Sequence, residues 1–360
     1  MEFIKGADLS MFPELEQAGA VYYDHGKQKD LLRILGVYGI NAVRLRLWNN
    51  PYDENGRPYG GGTNDFARTA AMAKRIRAAG MQFFLDIHYS DFWTDPAKQR
   101  KPKAWEKLSG TQLASAVYNY TAQVLLKLRE QGVPPDMIQI GNELTNGFLW
   151  PDGRLADGQQ NFHAMCQLLK AGLTAAREDN PARPIVLHLD NGGNHALYRG
   201  WFDHAKEEAL DFDIIGLSYY PYWHGTLADL KANIDDISAR YGKDILIMET
   251  SLGFTDKKTD AAGIFNEELA KATPYGASPQ GQADFLRDLI QVIRHVPNGR
   301  GKGFFYWEPA WLPLPGVTWT TKAGKAYIHD TTPEGNSWSS QALFDFAGNA
   351  LPALEAVKKA

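Results

Sequence analysis

Eight short apolar runs, each followed by a segment with helical spacing, constrain this chain more than any other feature. Runs at Phe3–Asp8, Ala42–Trp48, Met81–His88, Met137–Glu143, Pro184–Asp190, Phe212–Tyr219, Asp244–Glu249 and Gly303–Trp307 read as strands. Several are unbroken, such as Ile185-Val186-Leu187 and Ile245-Leu246-Ile247, which suits strands covered on both faces in a parallel sheet. Helical spacing runs through Lys27–Val37, Ala67–Ala79, Gln112–Gln131, Gln160–Glu178, His195–Leu210, Thr226–Tyr241, Gly281–His295 and Pro352–Lys359. Gly80 and Gly132 close two of these, and Ser109-Gly-Thr-Gln112 has the form of a capping box. No linker, charge block or low-complexity stretch divides the chain. Residues 1–360 are therefore expected to form one domain, a (β/α)8 TIM barrel. A doubly wound open sheet is the rival, and no glycine-rich phosphate fingerprint follows the first strand to favour it.

The long connections Asn49–Gly62, Tyr89–Leu108, Leu144–Gly158, Ser251–Pro279 and Glu308–Ser340 all follow strand ends, whereas the returns are short. In a barrel the loops after the strands form the functional face. A net charge of −4 and a pI near 6.2 leave no electrostatic footprint for nucleic acid or an anionic membrane. No run is apolar and long enough to span a bilayer. The opening Met-Glu-Phe-Ile-Lys-Gly lacks leader character and runs straight into a strand, so an exported form is expected to have had its leader removed. The one cysteine, Cys166, lies in a helical segment without thiolate-stabilising neighbours and reads as a small buried hydrophobe.

Chemistry concentrates at the strand ends. Glu143 and Glu249 both terminate apolar runs, where partial desolvation favours a proton-carrying carboxyl, and a barrel would point them at one mouth. Paired carboxyls of this kind serve glycoside hydrolysis, about 5–5.5 Å apart in retaining enzymes and about 6.5–9.5 Å apart in inverting ones. In Ala42–Trp48, alternation places Arg44, Arg46 and Trp48 on one face, inside the barrel. Glu143 or Glu249 would supply the carboxylates those arginines need, and a purely structural ion pair stays open for each arginine. Asp86 and His88 share a face of the third strand, with Asp91 and Trp93 on the loop beyond. No second His or Cys stands at metal-ligand spacing, so His88 reads as a neutral hydrogen-bonder to substrate. Ser218–His224 and Phe304–Trp311 are aromatic clusters broken by Pro221 and Pro309, as befits exposed platforms for sugar rings.

With these residues assembled, the chain resembles the endo-β-1,4-galactanases of glycoside hydrolase family 53. The resemblance runs nearly end to end: Gly6–Ser10, Val43–Trp48, Leu85–Asp91, Trp93–Pro96, Ile140–Glu143, Gly216–Pro221, Glu249–Ser251, Tyr306–Trp311 and Leu343–Asp345 follow in order. Asn-Glu at the fourth strand is shared across a clan of retaining barrels, while Tyr-Trp-Glu-Pro-Ala-Trp is specific. The resemblance implies Glu143 as acid/base and Glu249 as nucleophile. Asn142 would hold the sugar 2-hydroxyl, and Arg44 or Arg46 would keep Glu249 ionised. His88 and Tyr220 would position Glu249 and the −1 sugar, on a floor of Trp307, with Trp93, Trp223 and Trp311 as candidates for flanking subsites. Asp86 and Asp91 join this set as expected substrate-binding residues.

The implied partner is galactan or its oligosaccharides, met by a monomer outside the cell or at its surface during pectin breakdown, with no cofactor. Several bacterial relatives carry a calcium loop after the seventh strand. Here that stretch reads Asp256-Lys-Lys-Thr-Asp-Ala-Ala-Gly-Ile-Phe-Asn266, with two lysines and few oxygen ligands, so no calcium site is recognisable. Leu252, Gly253 and Phe254 follow Glu-Thr-Ser, where relatives often have an aromatic. A related β-1,4-mannanase or glucanase matches the motifs less well. A non-catalytic carbohydrate-binding barrel has no need of two matched glutamates.

Overall fold

In the computed structural model, which describes residues 2–155 and 161–359, eight parallel strands close into a barrel. They are β1 (Ile4–Asp8), β2 (Ala42–Leu47), β3 (Gln82–Ile87), β4 (Met137–Ile140), β5 (Ile185–Leu189), β6 (Ile214–Ser218), β7 (Asp244–Thr250) and β8 (Gly301–Tyr306). Each pairs with its sequence neighbours, and β8 closes on β1 with Ile4 opposite Gly303 and Ala7 opposite Tyr306. Outside them run α1 (Leu31–Val37), α2 (Phe66–Ala78), α3 (Gly110–Glu130), α4 (Phe162–Asp179), α5 (His195–Glu207), α6 (Leu227–Tyr241), α7 (Pro279–Arg294) and α8 (Pro352–Lys359). This is the (β/α)8 barrel that the alternation of runs predicts.

Three local expectations fail, each for a stereochemical reason. Lys27–Val37 is not one helix. Lys27–Lys29 pairs antiparallel with Tyr22–Asp24 across His25-Gly26, both at positive φ, the turn that matches hairpin twist. The helix starts only at Leu31, capped by Asp30, whose carboxylate accepts from Arg33 N. Ser109 occupies an N-cap position but makes no capping bond, because Gly110 opens the first turn at φ +50°. A capping box forms instead at Thr226 and Asp229. Finally, β4 stops at Ile140, so Glu143 lies beyond the strand: Gly141 at φ +75° breaks the extended backbone. The α4 helix begins at Phe162, and Gln160, where the spacing starts it, lies outside the described residues. So does the end of the Leu144–Gly158 connection.

Alternation sorts the strand residues as the sequence implies. Val43, Leu45 and Leu47 of β2 join the large core between barrel and helices. Inside the barrel, Ile4, Ala42, Phe84, Met137, Val186, Ile214, Leu246, Met248 and Phe305 form a separate apolar cluster. Two glycines make room for its largest members. A Cβ on Gly6 would lie 2.3 Å from the Phe305 ring, and one on Gly216 would lie 2.6 Å from Met248 Cγ. Two residues further along the same inward faces, the apolar layer gives way to Arg44, Asp86, Gln139 and His188, all buried. The barrel thus has a greasy base and a polar upper layer, and the loops that follow the strands surround the latter.

Barrel closure depends on one further glycine. Gly303 sits at φ +135°, and a Cβ there would lie 2.0 Å from Ile4 O. Gly303→Ala is expected to cost ~3 kcal/mol or more, read as a lowered denaturant midpoint with unchanged slope.

Candidate active site

The polar layer is organised around Arg44, whose guanidinium has no solvent exposure. Its NH1 donates to Glu249 Oε1 at 2.9 Å and to Asp8 Oδ2 at 3.1 Å. Its NH2 donates to Asp86 Oδ2 at 2.7 Å and to Asn142 Oδ1 at 2.9 Å. Arg46, one layer up, pairs with Asp8 Oδ1 at 2.9 Å and Glu308 Oε1 at 2.7 Å. Its guanidinium lies 4.6 Å from the Trp93 ring centre and 5.3 Å from that of Trp307. Of the two glutamates the sequence offers as partners, Glu249 pairs with an arginine and Glu143 does not. Asp8, Asp86 and Glu308 supply the rest. Asp8 ends β1 and Glu308 follows β8 by two residues, close to the signal that marks Glu249, and sequence reasoning passed over both.

Glu249 and Glu143 line one cleft of about 440 Å3 at the C-terminal end of the barrel, with opposite surroundings. Glu249 accepts from Arg44 and, through Oε2, from the Tyr220 hydroxyl at 3.0 Å. Burial lifts its pKa, and the Arg44 charge holds part of that rise back. Glu143 has no cation. Burial, then the charges of Glu249 and Asp190, push its pKa well above the ordinary range. Its Oε1 lies 2.7 Å from Ser218 Oγ, which in turn lies 2.8 Å from His188 Nε2. Glu143 adopts φ +48°, and Glu308, just past β8, φ +47°, a left-handed backbone that is unfavourable for a side chain. At Glu143 the turn is fixed by Gln99 Nε2, which donates to Asn142 O at 2.7 Å and to Glu143 O at 3.2 Å.

Asn142 lines the cleft, and its Nδ2 donates to Thr94 O at 2.9 Å with a second N–H beyond that bond. Trp307, half-buried, is braced edge-on by Trp338 with ring centres 4.4 Å apart. Trp93 lines the cleft with its indole N–H on Trp319 O, and Trp223 is exposed at the mouth.

Four expected substrate contacts do not have that geometry. Trp311 has no exposed surface and packs behind Trp307, ring centres 6.0 Å apart, so it offers no face to a sugar. Asp91 is buried away from the cleft and accepts from Asn50 N and Lys103 N, tying two loops together. Asp86 is wholly buried and answers Arg44, Gln139 and His88. His88 lines the cleft, yet both ring nitrogens are engaged. Nδ1 faces the donor-only Trp48 Nε1 at 3.3 Å, so Nε2 carries the proton and donates to Asp86 at 3.0 Å. Thr94 Oγ1 also lies 2.9 Å from Nδ1, so protein groups meet both ring nitrogens. Sequence reasoning also missed Ser218, His188 and Trp338. Ser218 and His188 lie on inward faces of β6 and β5 and were legible by alternation. Trp338 carries no local signal.

The Asp260 carboxylate accepts from Ala262 N at 2.8 Å and Asn336 N at 2.6 Å. Among the described residues no three His, Cys, Asp or Glu side chains gather to hold a metal ion.

The family model for glycosyl hydrolase family 53 matches residues 4–357. The chain belongs to glycosyl hydrolase family 53. An endo-β-1,4-galactanase of Bacillus subtilis (strain 168) is 38% identical, over 98% of this chain and 85% of the relative. An arabinogalactan endo-β-1,4-galactanase of Cellvibrio japonicus (strain Ueda107) is 37% identical, over 98% and 89%. The solved family 53 catalytic domain of Ignisphaera aggregans superposes with a TM-score of 0.92 at 44% identity, covering 99% of this chain and 95% of that one.

Arg44→Gln leaves buried carboxylates of the family 53 barrel without their cation. It is expected to lower stability by about 3–5 kcal/mol, measured by urea titration at neutral pH.

Proposed function

We propose that this chain hydrolyses internal β-1,4-galactosidic bonds of galactan by double displacement, with Glu249 as nucleophile and Glu143 as acid/base. The observation that carries this is the contrast between the two carboxyls in one cleft. Glu249 rests on a guanidinium and a phenol that favour its anion, whereas Glu143 has no cation and favours its acid form. Pairs pushed apart in this way divide the roles of nucleophile and proton donor.

In the first step a Glu249 oxygen bonds to the anomeric carbon as the C1–O4 bond breaks, and Glu143 gives its proton to the departing O4. In the second, water attacks the same carbon, Glu143 takes the water's proton, and the bond to Glu249 breaks. Tyr220 stays protonated throughout, since burial and then the Glu249 charge push its pKa far up, and its hydroxyl steers the nucleophile. The free Asn142 N–H meets the 2-hydroxyl, where hydrogen bonds strengthen in the transition state. Trp307 and Trp93, both beside Arg46, line the cleft and offer ring surface to pyranose C–H groups, and Trp223 extends that surface at the mouth. Each step is carried by the chain's own side chains. A polymer of this size does not enter a cell, so we place the enzyme, as a monomer, outside the cell or on its surface. No helix among the described residues is long and apolar enough to cross a membrane.

Debranched galactan is expected to be cleaved, with mannan and cellulose untouched and the β-anomer appearing first by proton NMR. Cleavage of mannan or cellulose instead, or binding without cleavage, overturns the reading. Glu249→Ala should abolish turnover while oligosaccharide binding persists. Glu143→Ala should keep activity on aryl galactosides with good leaving groups and give a β-galactosyl azide when azide is added. The pH profile of kcat/KM should be bell-shaped. It rises as Glu249 ionises and falls as Glu143 loses its proton, and burial sets both limbs above the ordinary glutamate value of about 4.3.

A further inference from the structure

Glu143, Ser218, His188 and Asn142 form one line of hydrogen bonds, joined at Asn142 Oδ1 by Arg44 and Gln139, and the donors along it can be counted. Asn142 Oδ1 accepts from Arg44 NH2, which can only donate, while Nδ2 donates to Thr94 O, so the amide orientation is fixed. His188 Nδ1 lies 3.0 Å from that oxygen and must therefore carry a proton. Arg44 shares the same acceptor, so a second proton on the imidazole would set two cations against one buried oxygen. Burial and then the Arg44 charge depress the His188 pKa far below its usual value. A neutral His188 has a bare Nε2, which must accept from the Ser218 hydroxyl at 2.8 Å. The hydroxyl has one proton, which the same geometry also lets it give to Glu143 Oε1 at 2.7 Å; spent on Nε2, it leaves that contact to a proton on the carboxyl.

We propose that His188 is a positioning residue which, through the Ser218 hydroxyl, keeps Glu143 protonated in the resting enzyme. The inference rests on the reading of Glu143 as acid/base and deepens it. When Glu143 has lost its proton, Ser218 turns to donate to the carboxylate. Nε2 then faces an oxygen lone pair with no proton between them. Ionisation of Glu143 therefore costs a hydrogen bond that a lone serine would not forfeit, and the acid form persists to higher pH. Other charges bear on the same groups. Arg44, His88 and His224 face His188, while Glu249, Asp190 and Asp95 face Glu143. Among the described residues none of these charged groups hydrogen-bonds the imidazole, whose partners are Asn142 and Ser218, so the effect of His188 on Glu143 runs through one hydroxyl.

The test combines a spectrum of the wild-type protein with a mutant cycle. Nitrogen-15 NMR of histidine-labelled enzyme, with the His188 signals identified by their loss in His188→Phe, is expected to show the neutral Nδ1–H tautomer below the alkaline limb. An Nε2–H tautomer or an imidazolium overturns the proposal. His188→Phe is expected to move the alkaline limb of kcat/KM down by about one pH unit, a ~tenfold change in the acid's dissociation constant. In a Ser218→Ala background the same substitution should leave the limb where it stands. An unmoved limb in His188→Phe, or an equal shift with and without the hydroxyl, refutes the relay. The spectrum needs no variant to turn over, so it decides the matter even if His188→Phe is inactive. Wild-type enzyme inactive on galactan would sink the catalytic reading, whereas an Nε2–H His188 in an active enzyme sinks the relay alone.

Discussion

The guanidinium of Arg44 is the one group that the rest of the site depends on. It stands at the boundary between the apolar base of the barrel and the cleft, and bonds Asp8 of β1, Asp86 of β3, Asn142 after β4 and Glu249 of β7. A flexible ammonium has neither the number nor the planar arrangement of donors to hold four such partners at once. Elements far apart in sequence are thereby fixed against each other by a single side chain. Desolvating so many charges is expensive, which is why they sit just below an open cleft and not at the base, where Phe84 and Phe305 pack in their place.

Charge balance explains how two chemically identical groups come to differ. Among the described residues, the arginines that Asp8, Asp86, Glu249 and Glu308 pair with are Arg44 and Arg46. Against burial, which pushes it up, Arg46 and Arg44 hold the Asp8 carboxyl below the usual range, while burial drives Glu308 far above it. The surplus of carboxyls over cations thus weighs most on the periphery, where Glu308 and Glu143 are pushed furthest towards the acid form, and less on Glu249, which touches the central cation. Where an acid stands relative to Arg44 decides its state.

Much of this was legible in the sequence because strand periodicity is strict. Alternation alone put Arg44 and Arg46 inside the barrel, and apolar runs with a terminal acid led to Glu249 and to the neighbourhood of Glu143. The same rule applied to Asp8, His188 and Ser218 would have added them. What alternation does not encode is depth. Asp86 and His88 lie on the correct face, but whether a side chain there reaches sugar or only another residue depends on the layer above it. Trp311 fails for the related reason that an aromatic run at a loop start does not say which ring lies in front. Trp338 reaches the site from the far end of a long connection, where no short-range pattern points. The Lys27–Lys29 segment was misread because a left-handed His25-Gly26 turn outweighs helical spacing over a few residues.

The backbone at Glu143 bears on how such a protein can change. With φ at +48°, this position favours glycine or asparagine over any larger residue, and the barrel retains a glutamate there. Selection for a sturdier fold and selection for turnover therefore pull in opposite directions at the same residue. A lineage freed from the need to cut its polymer would be expected to drift here first, becoming more robust as it falls silent.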